Sequence, residues 1–335
     1  MIHTNTMNVR VSVVIPNYNG GATIGTCLQA LFSSPYPPFE VIVVDDRSTD
    51  TSVGIIGQFP GRLVRLEQHG GASKARNTGA EISSGQVLFF IDADCVVQEE
   101  TLLHVADAYE KHRDCVIGGS YTPVAFDDTF FSTFQSVFVH YSELKNPEPD
   151  YVASHAMIIS RELFEKSGGF PEDFMPILED VEFSHRLRRS GVKLLMDDRI
   201  LVRHIFNYDL EKSLRNAFRK SKYWTVYSLT NKDLLADSGT ASVALKFTLF
   251  SAFLSWVCLI GFIVSFDPFY IACLALLNIM TLVISRGFIR AFFRTKGCSF
   301  GIRAALYYSL LYPLAVAAGV AVGALLYLQS RRRAS

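Results

Sequence analysis

Up to about Val202 the chain alternates short apolar runs with helical patterns. Val11-Ser12-Val13-Val14-Ile15 predicts a strand buried on both faces and stopped by Pro16. After the turn Asn17 to Gly21, Ile24, Leu28 and Leu31 fall at i, i+4, i+7, the spacing of a helix. Pro35-Tyr36-Pro37-Pro38 separates that helix from a second strand, Val41 to Val44. Arg47 to Asp50 caps a short helix, Leu63 to Leu66 is a third strand, and Ala72 to Ile82 is helical after the polar turn at Gly70-Gly71. Val87-Leu88-Phe89-Phe90-Ile91 is a fully apolar strand. Strands alternating with helices at this spacing predict an α/β fold with a mostly parallel sheet and right-handed crossovers. Farther on, the pattern predicts a helix over Thr101 to His112, a strand at Cys115 to Gly119, and a helix over Phe126 to Tyr141. The last carries Phe130, Phe131, Phe134 and Phe138 as a stripe that is either core or an amphipathic face touching lipid. A helix over Val181 to Arg189 and short strands at Val192 to Met196 and Ile200 to Val202 follow.

After Asp209 the pattern changes. Asp209 to Tyr227 is a helix with Leu210, Leu214 and Phe218 on one face, Arg215, Arg219 and Lys222 on another, and Tyr223, Trp224 and Tyr227 near its end. That is an interfacial pattern, basic toward headgroups and aromatic at the boundary. Val243 to Phe266, Pro268 to Ser285 and Ala304 to Leu328 are apolar, the third interrupted by Pro313, and are read as spans of the ~30 Å hydrocarbon layer. Arg286, Arg290, Arg294, Lys296 and Arg303 lie between the second and third with no acid, which marks the cytosolic side. Three full spans would place Arg331-Arg332-Arg333 outside, so either the third segment turns back near Pro313 or the second is incomplete. Met1 to Arg10 is polar and lacks an apolar h-region, so no cleaved signal peptide is indicated. The expected organisation is a catalytic domain over residues 1–208, an interfacial helix and linker over 209–240, and membrane helices over 241–330. The expected location is multi-pass in the inner membrane, with the catalytic domain cytoplasmic.

The formal net charge is zero over 335 residues and no basic patch stands out in the first half, which argues against a nucleic-acid partner. Hydrophobic residues make up 49% of the chain, and the excess lies after Thr240, which supports the membrane reading. The six cysteines show no paired spacing and read as reduced thiols.

The chemistry gathers at strand ends. The Val87 to Ile91 strand runs into Asp92-Ala93-Asp94, and a buried strand ending in two carboxylates needs a cation there. Mg²⁺ or Mn²⁺ is the natural partner, taking one or two carboxylates together with phosphate oxygens. An Asp-x-Asp alone is a common coincidence. Here it follows two other polar strand ends, Asn17-Tyr18 and Asp45-Asp46. In a parallel sheet all three lie along the carboxyl edge, where ligands bind. No G-x-G-x-x-G follows the first strand, so this is not a usual dinucleotide site.

Taken in order, Val11 to Asn19, Val43 to Asp50, Ala75-Arg76-Asn77-Thr78-Gly79-Ala80, Asp92-Ala93-Asp94, and Gly168-Gly169-Phe170 with Glu179-Asp180 downstream resemble family 2 glycosyltransferases of the GT-A fold, membrane-anchored and bacterial in type. The resemblance covers roughly residues 10–205 and implies inverting transfer from a nucleotide-diphosphate sugar with a divalent metal. It implies that Pro16 and Tyr18 belong to the donor edge, with Tyr18 packing against the base. Asp46 accepts from a pyrimidine N–H, which favours uridine. Arg76 and Asn77 contact nucleotide or phosphate. Asp94 is the metal ligand and Asp92 contacts ribose or a metal-bound water. His204 joins the metal or diphosphate. Asp180 is implied to be the general base and Glu179 its support. A place in the first turn of a helix is expected to keep Asp180 ionised. The processive Q-x-x-R-W motif is not matched at its spacing by Arg219 and Trp224.

The membrane half implies a lipid-linked or membrane-associated acceptor. One alternative is transfer to a polyprenyl phosphate, whose anionic oxygen needs no strong base, so that tolerance of Asp180 changes would favour it. Another is a non-catalytic membrane-bound scaffold, which a failure to bind Mn²⁺ with any nucleotide sugar would favour.

Overall fold

The computed structural model describes residues 9–36 and 39–334. Met1 to Asn8, with most of the segment that was read for a signal peptide, and Pro37-Pro38 of the proline-rich loop lie outside the described residues. The chain divides into two compact units, one of residues 1–128 and 143–206, the other of residues 129–142 and 207–335.

The first unit carries β1 (Val11–Asn17), α1 (Ile24–Phe32), β2 (Phe39–Asp45), α2 (Ser52–Ile56), β3 (Arg62–Arg65), α3 (Gly71–Glu81), β4 (Val87–Ile91), β5 (Cys95–Val97), α4 (Thr101–Lys111) and β6 (Val116–Tyr121). Beyond α5 (Phe130–Leu144) it adds β7 (Ala156–Ser160), α6 (Arg161–Ser167), α7 (Glu179–Arg189) and β8 (Leu194–His204). Its sheet has the order β3-β2-β1-β4-β7-β6-β8-β5. The expected parallel pairing holds for β3, β2, β1 and β4, while β7 runs antiparallel to both β4 and β6. β4 is buried at every position, as an apolar run under helices on both faces must be. β1 continues through Pro16 to Asn17. Its pairing with β4 ends at Val14, so the missing N–H of Pro16 interrupts no ladder on that side. β8 is one strand rather than the two short ones expected, and a register irregularity between Gly118 and Ser120 of β6 absorbs the change along it.

The second unit contains α8 (Leu210–Asn231), α9 (Val243–Ser265), α10 (Pro268–Ile284), α11 (Arg286–Leu306) and α12 (Tyr312–Ala334). α5 belongs here for most of its length. Its aromatic stripe is core: Phe134 and Phe138 are buried, and Phe134 packs on Phe292 at 5.2 Å and on Tyr307 at 4.7 Å. α9 and the run Arg286–Arg332 are long and apolar enough to cross a membrane, whereas α10 has 17 residues. The helix does not turn back at Pro313. A π-helical turn at Tyr307–Leu311 precedes the proline, and such a turn accommodates a residue that offers no N–H and crowds the preceding carbonyls. The break lies instead at Lys296 and Gly297 inside α11, both non-helical, with Gly297 at φ +74°.

Candidate active site

The carboxyl edge of β1, β2 and β4 presents the expected residues. Asn17 ends β1 and is buried. Its Nδ2 donates to Asp45 Oδ1 at 2.9 Å and to Ser48 Oγ at 3.1 Å, so Asp45 is spent inside the edge. Asp46, one residue on, accepts from the backbone N–H of Gly70 at 2.7 Å and of Gly71 at 2.8 Å, and lies 2.9 Å from His69 Nδ1. It therefore caps the N-terminus of α3, where a carboxylate is favoured. Tyr18 is 55% exposed and its ring lies 4.6 Å from that of His69, an open aromatic platform beside Asp46. His69 had no local signal apart from its place before the Gly70-Gly71 turn.

Arg76 is where the structure departs most from the sequence reading. Its guanidinium is 4% exposed and committed to two carboxylates: one nitrogen lies 2.7 Å from Asp92 Oδ1, the other 2.8 Å from Glu179 Oε1. Burial works against its charge, and Asp92 and Glu179 more than compensate, holding its pKa above the ordinary value. Arg76 thus ties the end of β4 to the start of α7. Asn77 is likewise engaged, exchanging two hydrogen bonds of 2.9 Å with the backbone of Phe170. This explains the Gly-Gly-Phe sequence. Gly168 and Gly169 both adopt positive φ, and a side chain at Gly169 would strike Asn77 Oδ1.

β5 pairs antiparallel with β8, placing Cys95 opposite His204. That pairing brings His204 Nε2 to 3.4 Å from Asp94 Oδ2, across more than a hundred residues of sequence. Potential ligand atoms of Asp94, Cys95 and His204 lie within 4.8 Å of one another. Burial lifts the Asp94 carboxyl above its ordinary value, with His204 pulling against it and Asp92 adding to it. The Cys95 thiol is pushed well up, by burial first and then by both aspartates, and stays protonated. An oxygen and a nitrogen donor beside a crowded carboxylate pair fit a divalent cation. Asp92 is itself held low. Burial opposes its charge, but Arg76 and His155 outweigh it.

α7 begins after Leu178, a non-glycine residue at φ +75°, a costly conformation that aims Glu179 and Asp180 from the first helical turn. Asp180 Oδ2 accepts from Ser154 N at 3.0 Å and its Oδ1 from Val181 N at 2.9 Å. The helix terminus is not the dominant influence on this group: burial, then the charge of Glu179, raises its pKa to about 6. A base poised just below neutrality is still ionised at pH 7. His155 lies deep in the same unit, 3.4 Å from buried Glu143 and with its ring 4.1 Å from that of Tyr121. Burial depresses its pKa, but Glu143 and, to a lesser degree, Asp92 and Asp180 leave it raised.

A sheet whose carboxyl edge carries Asp46, Asp92 and Asp94, with a Glu179-Asp180 helix start tied in by Arg76, is the GT-A arrangement of glycosyltransferases. The family model for glycosyl transferase family 2 matches residues 12–168. Glycosyltransferase AglE of Haloferax volcanii is 42% identical over 240 residues, 68% of this chain and 78% of that protein. The chain belongs to family 2. Glycosyltransferase GlyG of Streptococcus pneumoniae is 35% identical over 133 residues, 37% of this chain, and the match spans only 44% of GlyG. Among solved structures, mannosyltransferase PcManGT of Pyrobaculum calidifontis, in complex with GDP-Man and Mn²⁺, superposes with a TM-score of 0.57 at 16% identity, covering 96% of this chain and 87% of that one. That likeness shows a shared fold.

Proposed function

We propose that the chain transfers a sugar, with inversion, from a nucleotide-diphosphate sugar to a membrane-associated, lipid-linked acceptor, and that a divalent cation is required. The observation that carries this is the single edge formed by Asp46, Asp92 and Asp94, joined through Arg76 to Glu179 and Asp180. Tyr18 packs against the base and Asp46, with oxygens already oriented by α3, accepts from it, for which uridine is the expected partner. Pro16 shapes the end of β1 beneath the nucleotide. Asp94 and His204 hold the cation, and an imidazole beside a carboxylate suits Mn²⁺ better than Mg²⁺, which prefers oxygen donors. When bound, the cation neutralises the diphosphate leaving group.

Asp180 takes the proton of the acceptor hydroxyl as that oxygen attacks the anomeric carbon from the face opposite the diphosphate. Glu179 raises its basicity and, through Arg76, fixes it relative to Asp92. Arg76 and Asn77 act by positioning the edge rather than by gripping phosphate. The PcManGT complex with GDP-Man and Mn²⁺ supports both the donor class and the cation. The apolar helices of the second unit support residence at the membrane, with the unit holding the active site on the cytoplasmic face. For the full chain we retain the division into a catalytic part over 1–208, a helix and linker over 209–240 and a membrane part over 241–330.

The test is a thermal-shift screen of UDP- and GDP-sugars with and without Mn²⁺, repeated with Asp94→Asn. A bound donor raises Tm by linkage. The expected result is a shift that needs donor and Mn²⁺ together and disappears in the variant. No shift with any pair would overturn the assignment.

A further inference from the structure

The long apolar helix α12 is paired with a charged helix. Tyr307 Oη donates to Ser213 Oγ at 2.9 Å. Farther along both helices, Gly319 lies against Phe218 and Ser221, and Gly323 against Lys222 and Thr225. α8 and the run from Tyr307 into α12 therefore point the same way and lie side by side along α8 from Ser213 to Thr225, about 18 Å at 1.5 Å per residue. The seam is a Gly-x-x-x-Gly packed on small side chains, which lets two backbones approach closely. Away from this seam, α8 exposes Lys212, Arg215, Arg219 and Lys220. α12 exposes Leu310, Leu314, Leu325 and Leu328.

If α12 crossed a bilayer, the parallel α8 would carry those four cations to the same depths, in hydrocarbon, where charge is costly. α9 has different surroundings. It meets the α12 segment at its own first turns, through Thr248 beside Tyr308 at 3.3 Å. Farther along it leans on α10, with Ser251 Oγ donating to Leu277 O at 3.1 Å, and it exposes Phe253, Trp256, Ile260, Ile263 and Val264.

Building on the membrane reading above, we infer that α12 lies in the plane of the membrane interface with its leucine face on the acyl chains. α8 covers its other side and turns its basic residues to water and anionic headgroups. The α9–α10 hairpin alone enters the hydrocarbon. Arg331 and Arg332 then stay on the side of the bilayer that holds α8, and the conflict over the number of spans disappears.

The experiment places nitroxide labels in the full chain, one at a time, at Leu310, Leu314, Ala317, Ala321, Leu325 and Leu328. A genetically encoded reactive amino acid keeps the native cysteines. Depth in phosphatidylglycerol-containing liposomes is read from collisions with oxygen and with a water-soluble nickel complex. The expected result is one shallow depth at all six positions. A depth that rises to a maximum near Ala317 to Ala321 and falls on either side by about 1.5 Å per residue would overturn the inference. Labels at Phe253 and Ile260 separate the two readings. If they are deep while the α12 labels show that maximum, only the in-plane placement fails. If they too remain in water, the membrane reading fails and takes this inference with it.

Discussion

Asp180→Asn should separate catalysis from stability. In the folded chain the Asp180 carboxyl titrates at about 6 against an ordinary 3.8, because burial and Glu179 disfavour its charge. At 1.36 kcal/mol per pKa unit, ionisation costs the folded state about 3 kcal/mol. The sign follows from an acid whose pKa is raised on folding. The penalty is absent below pH 3.8, grows up to about pH 6 and is constant above. Asparagine carries no charge at any pH, so the variant escapes the penalty. It also loses something, because Asp180 gives one oxygen to the Ser154 N–H and the other to the Val181 N–H, and an amide has a single acceptor. One buried N–H is then left unmet, costing about 1–3 kcal/mol at every pH. At pH 8 the two effects leave the variant about 0–2 kcal/mol more stable than the parent, and near pH 4 the loss dominates.

The constant loss cancels when the stability difference at pH 4 is subtracted from that at pH 8, and since the penalty has begun to grow by pH 4, about 2 kcal/mol in favour of the variant remains. Denaturation of both proteins in detergent at the two pH values measures this. Turnover of the variant should fall at least ~100-fold, as removal of a general base requires. Turnover of the parent should climb through about pH 6 and then level off. Near-normal activity of Asp180→Asn would put the base elsewhere. A stability difference that ignores pH would refute the account of why this carboxyl is poised.

Arg76→Met should leave Asp92 and Glu179 facing each other with no cation between them, lowering stability by about 3–5 kcal/mol and abolishing transfer, as a shifted denaturation midpoint would report. Gly319→Leu should drive a side chain into Ser221 and the Phe218 carbonyl, costing about 1–3 kcal/mol and exposing buried Trp224 of α8 to quenchers in fluorescence.

The strands and helices of the first unit were legible because their periodicities are strong. β4 has the predicted bounds, and α3 ends within a residue of its predicted limits. The edge carboxylates were legible too, since a parallel sheet puts every strand's carboxyl end on one side. Pairings over long sequence distance were not. The resemblance already set His204 and Asp94 at the metal, but nothing in the residues near His204 announces that β8 will run antiparallel to β5 and carry it there, and nothing near Arg76 announces that Glu179 will meet it across the fold. The upward shift of Asp180 was not legible for the same reason, because a first-turn position is visible in sequence whereas the burial that raises the pKa is a tertiary fact.

The second unit makes the point most sharply. Hydropathy records what a helix is made of and is silent on what stands beside it. The pattern of α8 reads as a lipid-surface helix, yet the residues that decide its place are the small ones, Ser213, Ala217, Ser221 and Thr225, which align as a seam. α12 is apolar enough to cross a bilayer, yet its glycines fit that seam and its neighbour exposes cations from Lys212 to Lys220. A span is stable in hydrocarbon only when its partners tolerate hydrocarbon as well. On the in-plane placement inferred above, α9 and α10, packed on each other through Ser251 and Thr281, meet that criterion and α12 does not.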